Sequence, residues 1–271
     1  MLGQIGVGKA KALERQDYIA AAISLGTEPA VIETIAQVES AGFGWDKQGR
    51  IKILFEKHVF YRELPTDRRA AAVKAGLARA KWVSPSRGGY KDHGTPEKRW
   101  ALVEKAIVFD HNTAFRSFSM GTYQIMGFNA EMCGFKSAEL MFGAFLRPDG
   151  EAAQLRAFCS YIVNKKLRTA VRTKNWDAIE KGYNGGGQGG AYARKMRAVY
   201  AKISASGKWN GWQTEKRTVV VTPVPRPPIQ PSPLPVESPP RVGTGAALAA
   251  ILAAVAAALW NWWDHVTSLF N

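Results

Sequence analysis

Cysteine is scarce, with Cys133 and Cys159 the two examples in 271 residues. Both stand in apolar stretches without a Cys-x-x-Cys pair or a nearby histidine. That excludes a zinc finger or a disulfide framework and predicts two buried free thiols. No metal site and no cofactor are expected. Acidic residues are also few, 22 against 37 Lys and Arg, for a formal net charge of +15. The imbalance lies in residues 1–204, which carry 32 Lys and Arg against 19 Asp and Glu. A basic body suits nucleic acid, an acidic membrane surface, or a bacterial envelope with its anionic polymers. Nucleic acid falls behind, because the aromatics do not interleave with basic residues and no recognition motif appears. The opening MLGQIGVGKAKALERQDY has no continuous apolar run. No cleavable secretory signal is therefore expected, and the globular part should fold in the cytoplasm that makes it. Strands do not alternate with helices, so a doubly wound sheet is excluded.

What is present is mostly helical periodicity. Apolar spacing predicts helices over Arg15 to Leu25 and Glu28 to Ser40, with Gly26 as a stop and Thr27 as an N-cap before Pro29. Ile51, Ile53 and Phe55 alternate with polar residues after the turn-prone Asp46 to Gly49, which predicts a short strand in a small hairpin. Further helices are expected over Arg68 to Ala80, Glu97 to Phe109, Ala138 to Phe145, Gly150 to Lys166, Leu167 to Arg172, Trp176 to Lys181 and Tyr192 to Ile203. The polar stretch Val83 to Pro96 reads as a loop. The expected class is α+β, mainly α, with a small β-hairpin insert.

The expected domain spans 1–204, followed by a linker over 205–241. Within that linker, Thr222 to Pro240 is proline-dense and should be extended and semi-rigid. Residues 242–263 carry no charge. As a helix they would be roughly 33 Å long, enough for a hydrocarbon core of about 30 Å. Trp260, Trp262 and Trp263 stand at the end as an interfacial belt would. The expectation is a single transmembrane helix with a short tail, 264–271. An Ala-rich amphipathic or oligomerising helix is the other reading. Arg226 and Arg241 before it and Asp264 after it orient the domain inside.

Three segments carry candidate chemistry. Glu39 follows Ile32 and Ile35 by seven and four residues, so it shares their apolar face in the last turn of its helix. Burial and the negative end of the helix dipole both disfavour its charge, which predicts a raised pKa and suits a general acid. A Glu whose head simply reaches solvent or caps an amide is the plainer reading. In SFSMGTYQIMGFN, Ser119, Gly121 and Gln124 form a Ser-x-Gly-x-x-Gln turn expected to precede a helix, where Gly121 would let backbone approach a ligand. In KGYNGGGQGGAYARKM, Tyr183 and Asn184 stand at a helix end before a glycine run. Taken singly, these are also an ordinary turn and an ordinary helix C-cap.

Glu-Ser, then Gly-x-x-Gln-Ile, then Tyr-Asn-Gly resembles the motif order of goose-type lysozymes and lytic transglycosylases. VESAGFGWDKQGRIKILFEKHVFYREL and SMGTYQIMGFN more closely resemble the N-acetylmuramidase family of phage and prophage endolysins, over about Leu25 to Ile203. The resemblance implies a lysozyme-like fold and peptidoglycan glycan strands as substrate. It implies cleavage of the β-1,4 bond from N-acetylmuramic acid to N-acetylglucosamine, with Glu39 as the acid. Ser119, Gln124, Tyr183 and Asn184 would line the cleft, and Tyr183 would also reach Glu39. The second motif usually reads Ser-Trp-Gly in that family. Met120 stands at the tryptophan position here, which bears on a sugar-stacking contact.

Glu56 is the natural second carboxylate, with His58 two residues on. It is either a base for an attacking water or a structural partner of Arg50, Lys52 or Lys57. Asp46 is first of all a turn residue. Carboxylates about 6.5 to 9.5 Å apart imply inversion and about 5 to 5.5 Å retention; the resemblance favours inversion. A lytic transglycosylase, or a non-catalytic wall- or membrane-associated module, are the competing functions. The apolar segment adds the bacterial inner membrane as a partner. The enzyme would be held at its inner face and would depend on a holin or another breach to reach the wall.

Overall fold

Several turns among the described residues fall where the sequence supplies a stop, while Lys166 and Lys174 turn with positive φ without one. In a computed structural model, which describes residues 6–8, 11–185 and 189–215, Gly26 adopts φ 71° and closes helix α1 (Arg15–Leu25). Pro29 then opens α2 (Pro29–Ser40), which ends at a left-handed Ala41. Its apolar face is fully buried: Val31, Ile32 and Ile35 have no exposed surface. A short strand β1 (Ile53–Phe55) follows and leads directly into α3 (Lys57–Glu63) and α4 (Thr66–Lys74). A long connection with 3-10 turns at Pro85–Arg87 and Lys91–His93 reaches α5 (Pro96–Phe109). Then come α6 (His111–Arg116), strands β2 (Phe118–Met120) and β3 (Ile125–Met126), α7 (Ala138–Leu146), α8 (Gly150–Asn164), α9 (Arg168–Arg172), α10 (Trp176–Asn184), α11 (Ala191–Ala205) and α12 (Trp212–Glu215).

The three strands form one antiparallel sheet in the order β1-β2-β3. Ile53 faces Met120 and Phe55 faces Phe118, while Met120 also faces Ile125. The expected hairpin within 42–56 is therefore reduced to a single bridge between Trp45 and Ile51. The strand's ladder partner arrives more than sixty residues later, a distance no local pattern reveals. The Ser-x-Gly-x-x-Gln turn likewise joins two strands rather than opening a helix. The helix expected over Arg68 to Ala80 stops at Lys74, because Gly76 takes φ 72° and Leu77 and Ala78 fold back onto the Ala72 carbonyl.

An aromatic core lies between the sheet and the helices. Phe115 meets Phe142 at 5.3 Å and Phe118 at 5.8 Å between ring centroids, and Tyr123 stacks on Phe158 at 4.3 Å. Cys133 and Cys159 are buried free thiols, both pushed up to about 12 by burial. Met120 is buried beneath the sheet, so the methionine at the family's tryptophan position meets core side chains and makes no sugar-stacking surface.

The described residues all belong to one unit, residues 1–228. Packing on it continues past 204, where the linker was expected to begin. Trp209 is buried against Tyr18 with ring centroids 5.4 Å apart, and Glu215 accepts from the Arg15 guanidinium at 2.6 Å. Among the described residues no single helix is long and apolar enough to cross a membrane. The proline-dense stretch 222–240 and the expected transmembrane helix at 242–263 lie outside the described residues.

Candidate active site

Glu39 occupies the last turn of α2 and is partly buried. Helix α11 packs along α2 and supplies two polar groups there. The Tyr192 hydroxyl donates to Glu39 Oε1, and Lys195 Nζ donates to the Val38 carbonyl at 3.0 Å. Burial pushes the Glu39 carboxyl up to about 7, against the opposing pull of the Tyr192 hydrogen bond and the Lys195 charge. The start of α11 is itself anchored. Buried Glu180 of α10 accepts from the backbone N–H groups of Gly190 (2.9 Å) and Ala193 (2.7 Å), so a carboxylate fixes the turn that carries Tyr192.

The expected motif residues divide into two groups around this acid. Asn184 hydrogen-bonds the Tyr192 hydroxyl, so it reaches Glu39 through one intermediary. Tyr183 does not bond Glu39. Its hydroxyl donates to the Tyr123 carbonyl at 2.6 Å and its ring meets Tyr161 edge-on at 5.4 Å, making it a wall behind the acid. Residues 186–188 of the glycine run lie outside the described residues.

Ser119 and Gln124 serve the hairpin. Ser119 is buried and donates to Gln124 Oε1 at 2.9 Å. Gln124 Nε2 donates to the carbonyls of Gly121 (2.8 Å) and Lys52 (3.2 Å). Gly121 takes φ 75°, and a Cβ there would come within 2.3 Å of Gln154. Its glycine is required by the turn and by this close approach.

Behind the turn lies a polar cluster that sequence reasoning missed. Glu151 Oε1 accepts from the Gly44 N–H at 2.9 Å and Oε2 from the Thr122 hydroxyl at 2.6 Å, while Gln154 Oε1 accepts from the Thr122 N–H at 2.6 Å. These bonds tie the loop after Glu39 to the hairpin. Burial raises the Glu151 pKa, its hydrogen bonds and Lys52 opposing the shift. Lys52, its own pKa lowered by burial, donates to the Ser40 carbonyl at 2.7 Å. Glu151, Gln154 and Phe158 recur at helical spacing, and that pattern was the available signal.

Glu56 pairs with none of its three expected basic partners, Arg50, Lys52 and Lys57. Arg50 pairs with Asp46 and Glu97 (3.1 and 2.8 Å), and Lys57 pairs with Asp92. Both Glu56 oxygens instead accept from the Tyr90 hydroxyl at 2.9 Å, and His58 Nδ1 lies 3.2 Å from Oε2. Tyr90 in turn accepts from the indole of exposed Trp82 at 3.1 Å. The loop is pinned by buried His93, whose Nε2 lies 2.8 Å from the Phe55 carbonyl. Burial and the neighbouring carboxylate push Tyr90 up to about 12. Asp46 accepts from the Gln48 and Arg50 N–H groups at 2.9 and 3.0 Å, as a turn residue does.

The N-acetylmuramidase family model matches residues 28–204. Among solved structures, the crystal structure of Burkholderia AP3 phage endolysin is similar, with a TM-score of 0.59 and 27% identity over 72% of each chain. No curated protein matches this sequence. The helical body with its small antiparallel sheet is a lysozyme-like α+β fold. The family match spans more than half of the chain, from the residue before α2 to the last turn of α11, and takes in Glu39, the hairpin and Tyr192: the chain belongs to the N-acetylmuramidase family.

Proposed function

We propose that this protein is a peptidoglycan hydrolase that cleaves the β-1,4 bond from N-acetylmuramic acid to N-acetylglucosamine, with Glu39 as general acid. One observation carries the reading. A partly buried Glu in the last turn of a helix, held by a tyrosine hydroxyl, keeps its proton up to a pH of about 7. That proton passes to the glycosidic oxygen as the bond to C1 breaks, and positive charge spreads over C1 and the ring oxygen. Water then adds its hydroxyl to C1 and its remaining proton leaves to solvent, from which Glu39 is reprotonated. Mass spectrometry of digested peptidoglycan is expected to find N-acetylmuramic acid reducing ends.

A second reading is favoured by the Tyr90 contacts. Both Glu56 oxygens are engaged, and a lytic transglycosylase needs a single carboxylate, closing a 1,6-anhydro ring without consuming water. Anhydro-ended products would overturn the hydrolase reading in its favour. Glu56 is proposed as an anchor of the loop carrying Tyr90 and Trp82. Glu56→Gln, which keeps an acceptor for Tyr90, is then expected to lower turnover by less than about tenfold. A loss as deep as that of a Glu39 variant would make Glu56 the catalytic base.

Tyr192 gives a further expected result. Its hydrogen bond favours the charged form of Glu39, so Tyr192→Phe raises the acid's pKa and moves the alkaline limb of the activity profile to higher pH. An unmoved limb would mean that Tyr192 does not set the proton affinity of the active acid.

Delivery belongs to the same proposal. Residues 242–263 tether the enzyme to the inner membrane, and a holin or another breach gives it access to the wall. Recovery of the full-length protein in the soluble fraction after cell fractionation overturns the tether.

A further inference from the structure

At the opposite end of α2 from Glu39, eleven residues and about 16 Å along the helix axis, the start of α2, the end of α11 and α12 enclose a cavity of about 350 Å³. Glu28, Tyr200, Trp209, Asn210, Trp212 and Gln213 form most of its wall. The aromatic groups are fixed from behind. Trp209 Nε1 donates to buried Glu33 at 2.7 Å, and the Arg15 guanidinium lies 5.0 Å from its ring centroid. Tyr200 donates to Glu28, while its ring lies 5.4 Å from Trp176 and 5.6 Å from the Lys174 ammonium. The amides behave differently: the side chains of Asn210 and Gln213 are exposed and make no hydrogen bond to any described residue.

The partly exposed rings of Tyr200 and Trp212 beside free amide groups suit a neutral sugar, whose C–H faces lie on aromatics and whose hydroxyl and N-acetyl groups bond amides. The cations against these rings, Lys174, Arg15 and Lys208, are paired with Glu28, Glu215 and Glu33, so an anionic polymer meets charges that carboxylates already match.

We propose that this cavity is a second, non-catalytic saccharide site, which seats N-acetylhexosamine units of the glycan that Glu39 cleaves. This rests on the reading of the chain as a peptidoglycan glycosidase. A polymer-degrading enzyme with two such sites stays on the strand between cuts, since the second contact forms at high effective concentration.

The test uses the full-length chain with Glu39→Gln, titrated with the N-acetylglucosamine tetrasaccharide while the indole N–H signals are followed by NMR. The Trp212 and Trp209 signals are expected to shift on saturation. Trp212→Ala, or the milder Gln213→Ala, should weaken that response roughly fivefold to tenfold. An unmoved Trp212 signal, variants that titrate like the parent, or a response to polyphosphate without one to the tetrasaccharide each overturn the second site. Failure of the enzymatic reading shows itself separately, as absence of cleavage products from the unsubstituted chain.

Discussion

Glu39→Gln is expected to lower turnover on purified peptidoglycan by at least about a thousandfold, the scale on which removal of a positioned general acid acts. The substitution is nearly isosteric, and the Gln oxygen still accepts from Tyr192, so the fold survives and only the transferable proton is lost. Release of soluble muropeptides, measured beside far-UV circular dichroism of both proteins, separates lost chemistry from lost structure. Cleavage within tenfold of the parent would remove Glu39 from the mechanism and favour a non-catalytic role in binding the wall.

The same variant should be more stable than the parent at alkaline pH. A carboxyl with an ordinary value of 4.5 in the unfolded chain and about 7 when folded binds a proton more tightly in the native state. The native protein therefore loses stability as pH rises from about 4.5 to about 7, bears the full cost above that, and bears none below. The shift corresponds to about 3 kcal/mol at most, and to about 1–3 kcal/mol once the solvent that reaches a partly buried side chain is allowed for. Gln carries no such cost. Its melting temperature should exceed the parent's by roughly 3 to 10 °C at pH 8, with the gap closing at pH 4. Every other titrating group is common to both proteins and cancels in the difference. A gap that does not vary with pH would mean an ordinary carboxyl at position 39.

Glu39 was legible because its evidence is local: Ile32 and Ile35 define the buried face of one helix, and the carboxylate falls on it. Most helices followed from spacing and glycine stops for the same reason, but the short α3 and α6 did not, and Thr27 bonds the Val171 carbonyl while Glu28 stands at the N-cap of α2. Tyr192 was not legible as the acid's partner, although the glycine-rich segment around it was singled out, because the contact joins residues 153 apart in the chain. Tyr183, nearer the helix end, looked the better donor and proved to be spent on the Tyr123 carbonyl. Gln124 and Gly121 were found, but not their partners within the fold: Gln124 Nε2 bonds the Gly121 and Lys52 carbonyls, and Gly121 closely approaches Gln154. The pattern of a ligand-approaching turn and that of a turn locked against Gln154 are the same in sequence, and only the partner distinguishes them. The Tyr90 loop gave no periodic signal, so the groups that hold Glu56 emerged only from the folded chain.

The helix that packs over Glu39 comes from the far end of the domain. Tyr192 lies in α11, and Trp209 and Glu215, which fasten the closing segment to Glu33 and Arg15, are 176 and 200 residues from their partners. On a ribosome, α2 emerges long before any of these residues has been made. Until α11 docks, Glu39 stands in water, where a carboxylic acid has lost its proton at neutral pH. Contacts of such sequence separation form late, so a nascent or prematurely terminated chain carries the residue without its raised pKa. On the proposed reading, the raised pKa of Glu39 is therefore confined to chains long enough to include α11.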